Sequence, residues 1–222
     1  MLKNIGFIES QKHANFDCVA FQDLDVLPEN IFNLYQCRDK PRHLMTALDT
    51  TDYNQIAGHK VEQSRMEKGT NLFGGVVLFK STQFQMINGY SNLYFGWGSE
   101  DTDLMYRALS RGLTIERPNT LIGRYKEAKH TKDPNRPIRN QALHARCMYR
   151  FYDDGLSSLK YEVIEKQEHP AYTWIHVRYN DTKYLVDGDD FVMKTDSELG
   201  QNFTKYMHIT NRQSFPVPKQ TE

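Results

Sequence analysis

The chain has 222 residues with 28 basic and 28 acidic side chains, so its formal net charge is zero, which argues against a general nucleic-acid binder. Aromatic residues make up 12%, too many for a disordered composition, and the length is enough for one domain with a real core. No run of about 18 apolar residues occurs, so no segment reads as membrane-spanning, and the first residues lack the apolar stretch of a signal peptide.

Taken in chain order, 1–12 carries Leu2, Ile5 and Ile8 at helical spacing. Residues 17–21 read as a buried strand that runs into Asp23-Leu24-Asp25 and is stopped by Pro28. A short apolar run, "HLMTALD", follows within 38–49, and 50–70 is polar and aperiodic, which predicts a surface loop or insertion. A strand over 72–80 enters through Gly74 and Gly75. Ser81 is placed as the cap of a helix that carries Phe84 and Ile87 on one face and ends at Gly89. A second helix spans 101–111, with Leu104, Ala108 and Leu109 inward and Gly112 behind it. "LTIERP" predicts a short strand. The segment 126–150 is basic, holds Pro134 and Pro137, and reads as mobile. "LKYEVIEKQ" and "YTWIHVRYN" alternate as a hairpin across His169-Pro170. The organisation is one domain over 1–180, followed by a polar, weakly structured tail over 181–222.

Three places carry chemistry. Asp23 and Asp25 stand at the C-terminal end of the first strand, where open α/β sheets bind ligands, and two such aspartates suit a divalent cation; a lone D-x-D is common, and in isolation a polar turn is the better account of it. Glu100, Asp101 and Asp103 crowd the start of the second helix, where the partial positive charge favours carboxylates, so Glu100 or Asp101 could serve as the helix cap. Capping does not explain Gly96-Trp97-Gly98, which frees the backbone on both sides of a large flat ring; such a ring could swing over a sugar while a neighbouring aspartate takes a proton. Glu127 and His130, three residues apart, would share a face of a helical turn and could both reach a metal, or belong to a solvated basic segment.

Together "DLDVLPEN", "FGGVVLFKSTQFQMINGYSNLYFGWGSEDTDLMYR", "RPN", "GRYKEAKHTKD" and "DGLSSLKYEV" resemble the beta-1,4-galactosyltransferase family, over about residues 4–179 and in family order. The resemblance implies an α/β fold of the GT-A, Rossmann-like type. It implies an inverting, metal-dependent transferase that moves galactose or N-acetylgalactosamine from a UDP-sugar in beta-1,4 linkage to a GlcNAc-type glycan acceptor. By the same resemblance Asp25 and His130 are metal ligands, Glu127 stands at a further ligand position, and Asp23 contacts the donor. Trp97 is the tryptophan of a small mobile loop, Glu100 holds the donor sugar, Asp101 is the catalytic base and Asp103 supports the helix start. The cation is Mn²⁺, with Mg²⁺ admitted by the hard Glu127 carboxylate.

By the same resemblance Gly75 lines the donor-sugar pocket and Leu72, just before Phe73-Gly74-Gly75, falls where galactose-using members have tyrosine, which shifts the expectation toward N-acetylgalactosamine or mixed specificity; on position alone a strand-end core residue accounts for Leu72 equally well. Thr102 replaces a family aspartate, and Asn140 and His144 fall near the acceptor N-acetyl pocket. Cys18 and Cys37 match a family disulfide, which implies an oxidising lumen, the Golgi by resemblance; Cys147 has no partner. Two glycosylation sequons begin at Asn180 and Asn202. The family's catalytic domain starts before the position of Met1, so its N-terminal nucleotide-binding strands are expected to be missing. The alternative to an enzyme is therefore a truncated, non-catalytic protein that binds a carbohydrate or a partner.

Overall fold

The computed structural model describes residues 1–53, 73–129 and 138–199. Leu72 and His130 lie outside the described residues, as do most of the 50–70 loop and Pro134 and Pro137.

Helix α1 (Leu2–His13) puts Ile5 and Phe7 into the core. Strand β1 (Cys18–Gln22) pairs antiparallel with β5 (Val76–Lys80), and β5 pairs antiparallel with β3 (Arg42–His43), giving a sheet ordered β1-β5-β3. Side chains alternate across a strand, and β5 is buried on both faces. Val77 and Phe79 enter one cluster with Phe7, Phe21, Phe73, Phe84, Ile87 and Tyr90, while Val76 and Leu78 enter another with Val26, Leu44, Met45 and Tyr125. Phe84 lies at the centre of the first cluster, its ring 4.8 Å from Phe7 and 4.6 Å from Phe21.

Helix α2 (Ser81–Met86) follows β5 directly. Ser81 is its first helical residue rather than its cap, because its hydroxyl is committed to the Phe16 carbonyl; the Gln83 side chain caps instead, accepting from the Lys80 amide at 2.9 Å. Helix α3 (Glu100–Ser110) buries Leu104, Met105 and Ala108 against the first cluster.

A second sheet, β2-β6-β4, joins β2 (Val26–Pro28), β6 (Arg124–Glu127) and β4 (Ala47–Leu48). Within the segment read as mobile, 126–150, the described residues include the end of β6 and a helix, while 130–137 lie outside the described residues. Lys126 and Glu127 at the end of β6 pair with β2, and α4 (Ile138–Ala145) follows, with Asn140 and Leu143 buried. "LTIERP" contributes only an isolated bridge, Arg42 to Glu116, before Pro118, which has no amide proton to extend a ladder.

Strands β7 (Glu162–Glu168) and β8 (Thr173–Arg178) form the expected hairpin. The weakly structured tail is corrected over its first part. Residues 181–199 form helix α5 (Asp181–Leu199), which packs Tyr184 against Leu93 and Leu143, with Phe191 and Val192 beside them; 200–222 lie outside the described residues.

Cys18 and Cys37 form a disulfide, and Cys147 is free and buried. Closing a loop of this length constrains the unfolded chain by about 2–4 kcal/mol. Reduction should lower the urea midpoint accordingly, and Cys18→Ala/Cys37→Ala should reproduce the loss without reductant.

Candidate active site

The site is built where β1 ends and β5 begins. Antiparallel pairing sets those two ends side by side, so the loop after β1 meets Gly74-Gly75. The Asp23 amide donates to the Gly75 carbonyl at 2.8 Å, and the Gly75 amide donates back to Asp23 Oδ2 at 3.2 Å. Gly75 has φ +80°, where L side chains are strained, and a Cβ there would run into the Met45 side chain. A Cβ on Gly74 would overlap Asp101 Oδ2, so glycine at 74 lets the α3 carboxylate lie flat on the loop. His43 holds the loop from behind. Arg117 Nε donates to His43 Nδ1 at 3.2 Å, which leaves Nε2 to donate to the Gly74 carbonyl at 2.8 Å. Burial first, then the Arg117 charge, lowers His43 to about 3, so the ring is neutral.

Residues 100–103 divide by environment. The α3 cap is Ser99, with φ +84°, so neither Glu100 nor Asp101 is the cap; both lie in the first turn. Asp103 faces inward and is fully buried. It accepts from Arg107 Nε at 2.6 Å and Tyr94 Oη at 2.9 Å, and from Arg150 Nη2. Arg107 and Arg150 also reach Asp154, whose carboxylate in turn accepts from the Asn92 amide and the Ser91 hydroxyl. Burial alone would raise the Asp103 pKa, but the two guanidinium groups and their hydrogen bonds lower it.

Asp101 has the opposite surroundings. Burial first, then the Glu100 and Asp23 carboxylates, raise its pKa to about 7, against the opposing charge of Lys3. Asp101 Oδ1 and Glu100 Oε2 are buried and have no hydrogen-bond partner among the described residues. A carboxylate with an open acceptor and a pKa near neutrality is matched to taking a proton from a hydroxyl.

Trp97 is 60% exposed between Gly96 (φ +72°) and Gly98 (φ +96°). Asn140, which the sequence reading places at an acceptor pocket, lies beneath this loop: its side-chain amide donates to the carbonyls of Phe95 at 3.0 Å and Gly98 at 3.2 Å. His144 packs its ring 5.5 Å from that of Tyr106.

The β2–β6 register sets Val26 opposite Glu127, and the Ala128 amide donates to the Asp25 carbonyl at 2.6 Å. Asp25, the residue before β2, is thereby one register step from Glu127, the last residue of β6. Glu127 Oε2 also accepts from Thr50 at 2.7 Å. Among the described residues no three His, Cys, Asp or Glu side chains gather as a metal group, His130 being outside them. The two carboxylates present fit a hard divalent cation in donor chemistry. Asp23 is committed to Lys3 and Gly75, which separates it from that pair. Three participants were not singled out from sequence, Lys3, His43 and Arg150. Each acts on residues distant along the chain, where local spacing carries no signal.

Two family models match the chain: the N-terminal region of glycosyl transferase group 7 over residues 1–38, and the N-terminal domain of galactosyltransferase over 42–131. Beta-1,4-galactosyltransferase 4 of Cricetulus griseus is 38% identical over 182 residues, and beta-1,4-galactosyltransferase 1 of Homo sapiens is 36% identical over 180.

The chain belongs to the beta-1,4-galactosyltransferase family.

These alignments cover 80% and 79% of this chain but 49% and 42% of the relatives, so the chain spans about half the length of the curated galactosyltransferases it matches. The fold is that of the Drosophila beta-1,4-galactosyltransferase 7 catalytic domain solved with xylobiose: TM-score 0.60, 24% identity, 82% of this chain and 76% of that one. A substituted form of that Drosophila enzyme, solved with manganese, UDP-Gal and xylobiose, superposes with a TM-score of 0.59 at 23% identity, over the same shares of the two chains. The α/β, GT-A assignment of this galactosyltransferase-family chain rests on those likenesses.

The Asp101 carboxyl should titrate near pH 7 by ¹³C NMR. Glu100→Gln removes the nearest repelling charge and should lower that midpoint; an Asp101 signal titrating near 4 in the parent would contradict the geometry described.

Proposed function

We propose that this chain carries the catalytic half-site of an inverting, metal-dependent beta-1,4-galactosyltransferase, acting on a UDP-sugar and a glycan acceptor. The observation that carries the proposal is the buried Asp101 carboxylate, pressed on Gly74 and sharing Lys3 with the Asp23 of the D-x-D turn. Manganese and UDP-Gal in the solved Drosophila relative support the choice of donor and cation class.

Asp25, Glu127 and His130 would hold Mn²⁺, which offsets charge on the departing diphosphate when bound. Asp23 and Glu100 would orient the donor, with Gly75 giving the sugar close access to the backbone. Trp97, hinged between two glycines, would cover the acceptor. Asp101 would accept the proton of the acceptor hydroxyl as its oxygen attacks the anomeric carbon from the face opposite the leaving group. The bond to the diphosphate breaks with its electron pair, so UDP departs and the configuration inverts in one step. A buried base with a pKa near neutrality suits this role, because the carboxylate gains affinity for a proton while remaining substantially charged at neutral pH.

The Gal or GalNAc preference is assigned to Leu72, where the absence of a tyrosine would leave room for an N-acetyl group. The Golgi lumen as site of action follows from the family, and the Cys18–Cys37 disulfide is compatible with an oxidising compartment.

Transfer from UDP-Gal and UDP-GalNAc to a GlcNAc acceptor should require Mn²⁺ and be abolished by chelation. Asp101→Asn should lower kcat at least about 100-fold. The parent rate should rise with pH through about 7, since the base works only when deprotonated. Turnover that survives Asp101→Asn would remove the base assignment. Absence of Mn²⁺-dependent UDP binding at millimolar donor would favour the non-catalytic binding protein. Leu72→Tyr should move preference toward UDP-Gal, and an unmoved preference would undo the gatekeeper assignment.

A further inference from the structure

Lys3 sits in the first turn of α1, far along the chain from every other candidate residue, yet it occupies the middle of the site. Its ammonium donates to Asp23 Oδ1 at 3.0 Å, stands 4.0 Å from Asp101 Oδ1 and lies 5.2 Å over the Tyr90 ring. The aromatic face beneath it and the two carboxylates beside it give three favourable surroundings for one cation.

We propose that Lys3 is a positioning residue: its ammonium ties the Asp23 turn to the α3 terminus and keeps the Asp101 carboxylate aimed and charged before substrates arrive. The inference rests on the reading of Asp101 as the base.

Among the described residues the groups facing Asp101 are few. Glu100 is on its own helix, Asp23 comes from the loop after β1, and the Tyr90 phenol comes from the segment after α2. Tyr90 is buried, and its hydroxyl has no hydrogen-bond partner among the described residues. Glu100 and Asp23 both favour the protonated acid, as does burial. Among the described residues Lys3 is the one cation acting against them. Burial disfavours its own charge, but the Asp101 and Asp23 carboxylates outweigh that and raise its pKa. Removing the ammonium therefore leaves two repelling carboxylates at the base with no counter-charge among the described residues.

The test uses the metal-free chain, with the Asp101 carboxyl signal identified by its loss in Asp101→Asn. In Lys3→Met the Asp101 midpoint should rise by at least about one unit, a tenfold change in its ionisation constant. Lys3→Arg should restore it. Lys3→Gln, which keeps an amide donor for Asp23 without the charge, should behave as Lys3→Met and serves if the apolar variant unfolds. In turnover, Lys3→Met and Lys3→Gln should move the acid limb of the kcat profile to higher pH, and Lys3→Arg should return it. A folded Lys3→Met or Lys3→Gln whose Asp101 midpoint matches the parent overturns the inference. Turnover surviving in Asp101→Asn would instead overturn the base reading, while the carboxyl titration still decides whether Lys3 controls Asp101.

Discussion

The site depends on a buried ionic contact that takes no part in the proposed chemistry. Asp103, one turn into α3, is locked by Arg107 from the same helix and Arg150 from beyond α4. Both arginines also reach Asp154, so two anions and two cations share one enclosure. Such a cluster contributes little net stability compared with a well-packed apolar core, but it tolerates only one arrangement, because a misplaced member would leave a bare charge in the interior. The helix start is thereby fixed in rotation as well as position, and rotation decides which of its carboxylates face the loop.

This explains how the members of one acidic run come to have different surroundings. A helix terminus favours all three carboxylates by its partial charge, so the dipole cannot distinguish them. The partners do. Asp103 has two guanidinium groups and a phenol and stays ionised; Asp101, two residues earlier, has two neighbouring carboxylates, a single ammonium at 4.0 Å and an open acceptor oxygen. Gly74 completes the division by leaving space for Asp101 on the loop, and His43, neutral and doubly hydrogen-bonded, prevents that loop from shifting.

The parts legible in the sequence are those whose signals are local. α1, β1, α2, α3 and the β7–β8 hairpin follow from periodicity and from glycines at element ends. The D-x-D turn and the carboxylates behind Gly-Trp-Gly were readable because spacing along the chain equals spacing in space there. α5 was hidden by its composition: "DTKYLVDGDDFVMKTDSEL" is acidic and contains Gly188, usually a helix breaker. The structure uses that glycine, since a Cβ at 188 would collide with the Arg139 guanidinium that donates to the Tyr184 and Leu185 carbonyls. Lys3 and Arg150 were illegible for another reason, and Asn140 was reached only through the family resemblance. Each acts across 20 to 47 residues of sequence, and only the folded pairing of β1 with β5 and the docking of α4 bring them to the site.

The central claim is that the D-x-D turn and the α3 carboxylates face one shared metal and donor site. Paramagnetic broadening by Mn²⁺ tests it directly. With UDP present, added Mn²⁺ should broaden the carboxyl ¹³C signals of Asp23, Asp25, Glu100 and Asp101 ahead of those of Asp39, Asp181 and Asp189, and Asp25→Ala should abolish the selectivity. Broadening that spares Asp101 while reaching Asp25, or that follows solvent exposure alone, would contradict the account.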